Sequence, residues 1–212
     1  MMYRAVIFDL DGTLVDSSEG IIRATEESLR ILGYPAMSHD DIRSCIGPPI
    51  GNSIIERNGL GKDELAKFNT VFRDLYKNKY LMDVSVYPSI MDLLRDLGKH
   101  HFIGIATNKR IDYTETLLKN LGIADHCDTV EGLDMEETLS KEDLVLRCIG
   151  SSGAKTCEII MVGDTLSDSS AAERCGIDFV GVTFGFGFKT AGDVKYGRAA
   201  DSVQELRELL FD

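Results

Sequence analysis

The chain has 212 residues, of which 43% are hydrophobic and 27% are charged, proportions that fit a compact globular protein and exclude a disordered or coiled-coil chain. Asp and Glu number 35 against 23 Lys and Arg, and the net charge of -12 argues against binding to nucleic acid or to an anionic membrane surface. The five cysteines are widely spaced without a CxxC pair, and no apolar run reaches the roughly 20 residues of a membrane span. We therefore expect a cytoplasmic protein with neither a disulfide framework nor a zinc site.

The chain opens with a strand that ends in acidic residues. Residues 5–8 are a β-rich apolar run, and Asp9-Leu10-Asp11-Gly12 follows directly, as expected where a buried parallel strand ends. The segment after this loop has helical periodicity and contains no convincing strand. Its predicted helices are 17–32, 40–45, 50–58 and 63–79.

From residue 87 onward, predicted helices and strands alternate. The helices are 90–97, 114–121, 141–149 and 167–175, and the strands are 102–106, 129–131, 158–162 and 179–183. Such alternation indicates right-handed βαβ units on a parallel sheet. The predicted fold class is therefore α/β, with a Rossmann-like parallel-sheet core formed by residues 1–15 and 87–212 and an inserted all-helical domain formed by residues 16–86.

Acidic residues follow two of the predicted core strands. Asp9 and Asp11 follow the first strand, and Asp164 and Asp168 follow the strand at 158–162. Because ligands of open α/β sheets bind beyond the carboxyl ends of the strands, these four carboxylates are expected to meet at one edge. Crowded carboxylates repel each other strongly, and a divalent cation with hard oxygen ligands relieves the repulsion. The sequence therefore predicts a Mg²⁺ site.

Groups that suit phosphate are predicted at the same edge. Thr107 and Asn108 follow the strand at 102–106 and offer a hydroxyl and amide donors, and Lys141 at a helix start supplies a positive charge. Gly12 allows the backbone to approach an anion closely. These residues indicate a phosphate-binding site next to the metal.

These motifs resemble those of the haloacid dehalogenase-like superfamily, whose four ordered motifs are matched along the whole chain. The matching segments are Asp9-Leu10-Asp11-Gly12-Thr13-Leu14, Thr107-Asn108, Lys141 and Gly163-Asp164-Thr165-Leu166-Ser167-Asp168. The helical insertion resembles the small mobile cap of that superfamily, and we call it the cap. The nearest similarity is to phosphoglycolate phosphatase-like members.

The resemblance implies a role for each motif residue. Asp9 would attack phosphorus and become an aspartyl phosphate, while Asp11 would protonate the leaving alcohol and then deprotonate the hydrolytic water. Thr107, the backbone of Asn108 and Lys141 would stabilise charge on the phosphoryl group. The implied Mg²⁺ ligands are an oxygen of Asp9, the backbone carbonyl of Asp11, and Asp164, with Asp168 close behind.

The implied activity is Mg²⁺-dependent hydrolysis of a small phosphorylated metabolite, with phosphoglycolate as the first candidate. Alternatives are a 5'-nucleotidase or pyrophosphatase of the same family, a β-phosphoglucomutase-like phosphomutase, and a non-catalytic regulatory binding module. Asp11 argues against a dehalogenase, which needs no such acid. We expect Arg43, Gly47 and Asn52 of the cap to determine substrate specificity. We expect the protein to be a monomer or a homodimer.

Overall fold

A computed structural model describes residues 3–211 as a six-stranded sheet with helices on both faces, together with a helical insertion. In chain order the strands are β1 (Ala5–Phe8), β2 (Val15–Asp16), β3 (Ser85–Val86), β4 (Phe102–Arg110), β5 (Thr129–Leu133), β6 (Ile159–Gly163), β7 (Asp178–Val182) and β8 (Arg198–Ala200). The helices are α1 (Ser18–Leu32), α2 (His39–Arg43), α3 (Ile50–Arg57), α4 (Lys62–Leu75), α5 (Ile90–Leu97), α6 (Ile111–Asn120), α7 (Lys141–Ser152), α8 (Leu166–Cys175) and α9 (Val203–Phe211).

The main sheet is parallel, with the order β5-β4-β1-β6-β7-β8. Strand β1 lies in the middle, where Ala5 is opposite both Phe102 and Ile159. The chain goes to one side of β1 with β4 and to the other with β6, so the switch in strand order falls beside β1. The predicted α/β fold is confirmed, and its strand ends form the crevice in which such sheets bind ligands.

Side chains of β1 alternate between two hydrophobic cores, one on each face of the sheet. Val6 and Phe8 pack in the same core as the apolar residues of α5 and α9, whereas Ala5 and Ile7 pack with those of α7 and α8. Alternation with a period of two residues is inherent to a strand, and a strand covered on both faces is apolar throughout. This explains why residues 5–8 read as an uninterrupted apolar run.

The cap contains α1 to α4 and a π-helical turn, Tyr76–Tyr80, which continues α4. Its interior includes Leu29, Ile42, Ile54 and Phe68, and three core residues join this cluster: Tyr113, Leu117 and Phe186. Strands β2 and β3 pair antiparallel where the chain leaves and re-enters the core, with Val15 opposite Val86. The division into two domains at residues 16 and 86 stays a prediction, and these paired strands coincide with its boundaries.

The structure differs from the predicted elements at the C-terminus and in β4. Strand β8 and helix α9 were not predicted, and β4 continues past Ala106 to Arg110 with a shift in its register against β5. No helix within residues 3–211 is both long and apolar enough to cross a membrane.

Candidate active site

Three carboxylates meet at the carboxyl edge of the central strands. Asp9 follows β1, Asp164 follows β6, and Asp168 lies in the first turn of α8. One oxygen of each lies within 4.8 Å of the others, and the three residues are 6%, 0% and 1% exposed. We call these residues the carboxylate cluster. The structure thus brings together three of the four acidic residues that the sequence places at the metal site.

Lys141 partly neutralises the carboxylate cluster. Its Nζ atom lies 2.5 Å from Asp9 Oδ1 and 2.7 Å from Asp168 Oδ1, so the first residue of α7 bridges two of the three carboxylates. Burial raises the pKa of Asp9, and Lys141 opposes this rise without cancelling it. One ammonium cannot neutralise three carboxylates when all three are ionised.

Asp164 is held by backbone groups and keeps one oxygen without a partner. Its Oδ2 atom accepts hydrogen bonds from the backbone N–H of Phe186 at 2.6 Å and of Gly187 at 3.1 Å, whereas the buried Oδ1 atom has no hydrogen-bond partner. Burial, followed by the charges of Asp168 and Asp9, raises the pKa of Asp164. A buried, unpartnered oxygen among crowded carboxylates fits a hard divalent cation such as Mg²⁺.

The Asp11 side chain lies outside the carboxylate cluster. Its two carboxylate oxygens accept hydrogen bonds from Lys109 Nζ at 3.1 and 2.9 Å, and Oδ1 also accepts one from Ser17 Oγ at 2.6 Å. The Asp11 carboxylate is therefore hydrogen-bonded to Lys109 and Ser17 and does not point into the carboxylate cluster. The backbone carbonyl of Asp11, which the resemblance implies as a metal ligand, is the other group that this residue can offer. That role stays a prediction.

Asp9 and Asp11 line a cavity of about 100 Å³ between the cap and the core. Thr107 and Asn108 belong to the same wall, and the amide of Asn108 donates to the Gly47 carbonyl at 3.2 Å and to Ser167 Oγ at 3.3 Å. The remaining described lining residues are Ile21, Ile46, Gly47, Pro48, Pro49, Ile50, Gly51, Asn69, Phe72, Arg73, Tyr76, Lys109, Arg110, Tyr113 and Glu137. Lys141 is not among them, and its Nζ atom contacts Asp9 and Asp168.

Of the three cap residues expected to set specificity, the structure brings only Gly47 to the cavity. Arg43 donates to Ser18 Oγ at 2.8 Å, pairs with Asp16 at 3.4 Å, and lies 5.1 Å from the ring centre of Phe186. Asn52 is exposed. Arg43 therefore ties α2 to the start of α1, and the described cavity wall does not include it or Asn52.

Three residues that surround Asp11, namely Lys109, Tyr76 and Ser17, were not predicted to belong to the site. Lys109 is 8% exposed and Tyr76 is 2% exposed, and the two join through a hydrogen bond of 2.8 Å from Lys109 Nζ to the Tyr76 hydroxyl. Lys109 directly follows Thr107-Asn108, so the same strand-end argument could have included it. The sequence around Tyr76 and Ser17 indicates only helices. Their contacts with Lys109 and Asp11 join the cap to the core, and such contacts are not visible in the sequence.

Comparisons with known proteins indicate the family of this chain. The family model described as haloacid dehalogenase-like hydrolase matches residues 6–182. A 5'-nucleotidase of Pseudomonas aeruginosa is 29% identical over 191 residues, which cover 88% of this chain and 86% of that protein. A phosphoglycolate phosphatase of Photorhabdus laumondii is 31% identical over 194 residues, 87% of this chain and 82% of that protein.

A solved structure has the same fold over nearly the whole chain. The crystal structure of a predicted phosphatase from Clostridium acetobutylicum superposes with a TM-score of 0.91 at 28% identity and covers 99% of each chain. The family match spans most of the sequence and includes each motif residue from Asp9 to Asp168. The chain belongs to the haloacid dehalogenase-like hydrolase family.

Proposed function

We propose that this phosphatase of the haloacid dehalogenase-like family hydrolyses the phosphate monoester of a small metabolite through a phosphorylated Asp9. The observation that carries the proposal is the position of Asp9. Its carboxylate lies on the cavity wall beside Thr107 and Asn108, and it also belongs to the carboxylate cluster. A nucleophile, donors for phosphate oxygens and a candidate cation site therefore share one strand edge.

The first step transfers the phosphoryl group to the protein. An oxygen of Asp9 attacks phosphorus, and the bond between phosphorus and the alcohol oxygen breaks. The electron pair stays with the alcohol oxygen, which takes a proton from Asp11. The Thr107 hydroxyl and the backbone N–H of Asn108 donate hydrogen bonds to the phosphoryl oxygens, whose negative charge they stabilise during transfer. The products are the free alcohol and aspartyl phosphate.

The second step releases phosphate. A water molecule attacks phosphorus, the bond between phosphorus and Asp9 breaks, and the Asp9 carboxylate is restored. Asp11 takes the proton of the water and is ready to protonate the next leaving alcohol. Lys109 Nζ lies 2.9 Å from the Asp11 carboxylate and holds it in place.

We propose Asp9, Asp164, Asp168 and the backbone carbonyl of Asp11 as the groups that hold Mg²⁺. The unpartnered Asp164 oxygen and the close approach of three buried carboxylates support this assignment. When bound, Mg²⁺ would neutralise the carboxylates and polarise the phosphoryl oxygens. Lys141 keeps Asp9 and Asp168 in place by bridging them.

Phosphoglycolate is the first candidate substrate, supported by relatives that carry this activity in their names. A nucleoside monophosphate is the second, and a specific feature favours it. The aromatic rings of Phe72, Tyr76 and Tyr113 line the cavity, while the two arginines on its wall are already paired, Arg73 with Glu137 and Arg110 with Asp112. Aromatic side chains can stack on the planar base of a nucleoside. Because both arginines are already paired with carboxylates, the cavity wall suits the uncharged nucleoside better than a leaving group with a carboxylate of its own.

The proposal is tested by phosphate release from phosphoglycolate, nucleoside monophosphates, sugar phosphates and pyrophosphate. We expect turnover of one class to exceed the others, to require Mg²⁺, and to fall by roughly 10³-fold or more in Asp9→Asn. Wild-type turnover in Asp9→Asn would refute the proposal. Isomerisation of a β-sugar phosphate faster than phosphate release would identify a mutase, and a folded protein without turnover would indicate a binding module.

The cellular setting is part of the same proposal. All five cysteines are free, as is usual in a reducing cytoplasm, and the excess of acidic residues gives no support for a nucleic-acid or membrane partner. We propose a cytoplasmic enzyme that acts as a monomer or homodimer on a small phosphorylated substrate.

A further inference from the structure

Lys109 is a buried lysine that the two-step reaction does not use directly. Its side chain is 5% exposed, and its Nζ atom makes three hydrogen bonds, two to the carboxylate oxygens of Asp11 and one to the hydroxyl of Tyr76. An ammonium group has three donors, so all of them are occupied. Two bonds to one carboxylate fix both the position and the plane of the Asp11 side chain.

An irregularity in β4 directs Lys109 to this position. Thr107 is opposite Gly132 of β5, but the next pair is Arg110 with Leu133, so Asn108 and Lys109 are extra residues in β4. Bulges of this kind turn a strand and re-aim its side chains. A Cβ atom on Gly132 would lie 2.8 Å from the Lys109 carbonyl oxygen, so the glycine provides the space for the bulge.

Tyr76 connects this arrangement to the cap. It begins the π-helical turn after α4, stacks on Phe72 with ring centres 5.5 Å apart, and meets the edge of Tyr113 from the core. Its hydroxyl reaches Lys109 only while the cap packs on the core, because the two residues belong to opposite walls of the cavity. Moving the cap away would therefore remove the third partner of the Lys109 ammonium.

We propose that Lys109 and Tyr76 are positioning residues that hold the Asp11 carboxylate ready to take a proton from water once the cap is seated on the core. The inference rests on the proposed function, because it assigns Asp11 to the second step. Lys109 holds the Asp11 carboxylate in position. Tyr76 belongs to the cap and binds Lys109, so this position depends on the cap. The second step is therefore expected to be more sensitive to both residues than the first.

The test separates the two steps with p-nitrophenyl phosphate, whose leaving group departs without protonation. Lys109→Met, Tyr76→Phe and the reference variant Asp11→Asn are mixed rapidly with this substrate and Mg²⁺. We expect a burst approaching one p-nitrophenol per protein in Lys109→Met, followed by steady-state turnover roughly 10²-fold below wild type. Tyr76→Phe should show a burst and a loss of about threefold to tenfold, as for one hydrogen bond to a charged group.

Matched controls come from the same π-helical turn. Lys79 and Tyr80 both bond to Glu27, away from the cavity, so Lys79→Met and Tyr80→Phe should keep wild-type kinetics. Thermal melting checks that each variant is folded. If Lys109→Met does not fold, Tyr76→Phe decides the question, because it removes a single hydroxyl group.

Two results would overturn the inference, and they differ from each other. A burst in Asp11→Asn without one in Lys109→Met or Tyr76→Phe would refute the positioning role and leave the two-step reaction intact. No burst and no phosphorylated protein in Asp11→Asn would instead refute the proposed function, and the inference with it.

Discussion

Gly12 illustrates how tightly the backbone approaches the carboxylate cluster. Its φ angle of +86° is in the region that favours glycine, and a Cβ atom there would lie 2.3 Å from Asp164 Oδ2. From the sequence, Gly12 is expected to let the backbone approach an anion closely. In the structure, the nearest anion is a carboxylate of the protein itself.

Gly12→Ala should therefore impair the site beyond the cost of its backbone conformation. The matched control is Gly122→Ala, whose φ angle is +72° and whose Cβ atom would have no neighbour within 4 Å. We expect the control to lose about 1 kcal/mol of unfolding free energy and to keep its activity. Gly12→Ala should lose more stability and lower kcat by roughly 10²-fold, because Asp164 must move. Equal kcat values in the two variants would contradict this account.

The site residues that could be predicted are those whose position follows from topology alone. Asp9 and Asp164 directly follow β1 and β6, and Thr107 is the last residue of β4 before its register shifts against β5, so a parallel sheet of this order brings them together. The direction of the Asp11 side chain could not be predicted in the same way, because it depends on hydrogen bonds from Ser17 and from Lys109, which is 98 residues away in the chain.

At the scale of elements, the bulge in β4 is what places two consecutive residues at the site. A regular strand would turn Asn108 and Lys109 to opposite faces of the sheet, since side chains alternate. The bulge instead lets Asn108 reach Gly47 of the cap while Lys109 reaches Asp11. Gly132 of the neighbouring strand accommodates it.

Gly132→Ala should lower both activity and stability. Its new Cβ atom would lie 2.8 Å from the Lys109 carbonyl oxygen and 3.0 Å from the Ile111 Cα atom, so the end of β4 must shift. We expect kcat to fall by roughly 10-fold to 10²-fold at a cost of about 1–3 kcal/mol in unfolding free energy. Gly150→Ala, in α7 with no neighbour within 4 Å, should be active and slightly stabilised. Wild-type kcat in Gly132→Ala would show that the bulge does not position the site.

The elements that could be predicted are the long or strongly periodic ones. The alternation of strands and helices after residue 87 sufficed for the parallel sheet, whereas β8, three residues long, gains its strand character from pairing with β7. Helix α9 carried a usable signal, since its buried Leu206 and Leu210 are four residues apart. The continuation of β4 could not be predicted, because it depends on the register with β5.

At the scale of the whole molecule, the protonation of Asp9 and Asp164 couples the stability of the fold to the binding of Mg²⁺. Asp9 and Asp164 have raised pKa values in the folded state, mainly because they are buried, so the folded protein binds more protons than the unfolded chain once pH exceeds the ordinary carboxyl range. The stability of the metal-free protein should therefore fall as pH rises through the range between the ordinary and the raised pKa values. Mg²⁺ binds the deprotonated carboxylates, so its stabilising effect should grow with pH.

Thermal melting from about pH 5 to about pH 8, with EDTA or with saturating Mg²⁺, checks this linkage. We expect Tm in EDTA to fall towards high pH and Mg²⁺ to offset the fall, by about 2.7 kcal/mol where Mg²⁺ is a hundred times its Kd. A control with KCl at matched ionic strength separates general screening of charges from specific binding of Mg²⁺. In Asp164→Asn, Mg²⁺ should no longer raise Tm. A Mg²⁺ effect that is absent, or equal at all pH values, would contradict the assigned cation site.

The most direct measurement of the central claim is the mass of the Asp9-containing peptide after turnover is quenched with acid. With the preferred substrate and Mg²⁺, we predict that this peptide gains the mass of one phosphoryl group. With p-nitrophenyl phosphate, whose leaving group departs without protonation, Asp11→Asn should increase the phosphorylated fraction because only the second step is slowed. Asp9→Asn should show neither phosphorylation nor phosphate release. Sustained phosphate release without any phosphoryl group on Asp9, together with an active Asp9→Asn variant, would contradict the account.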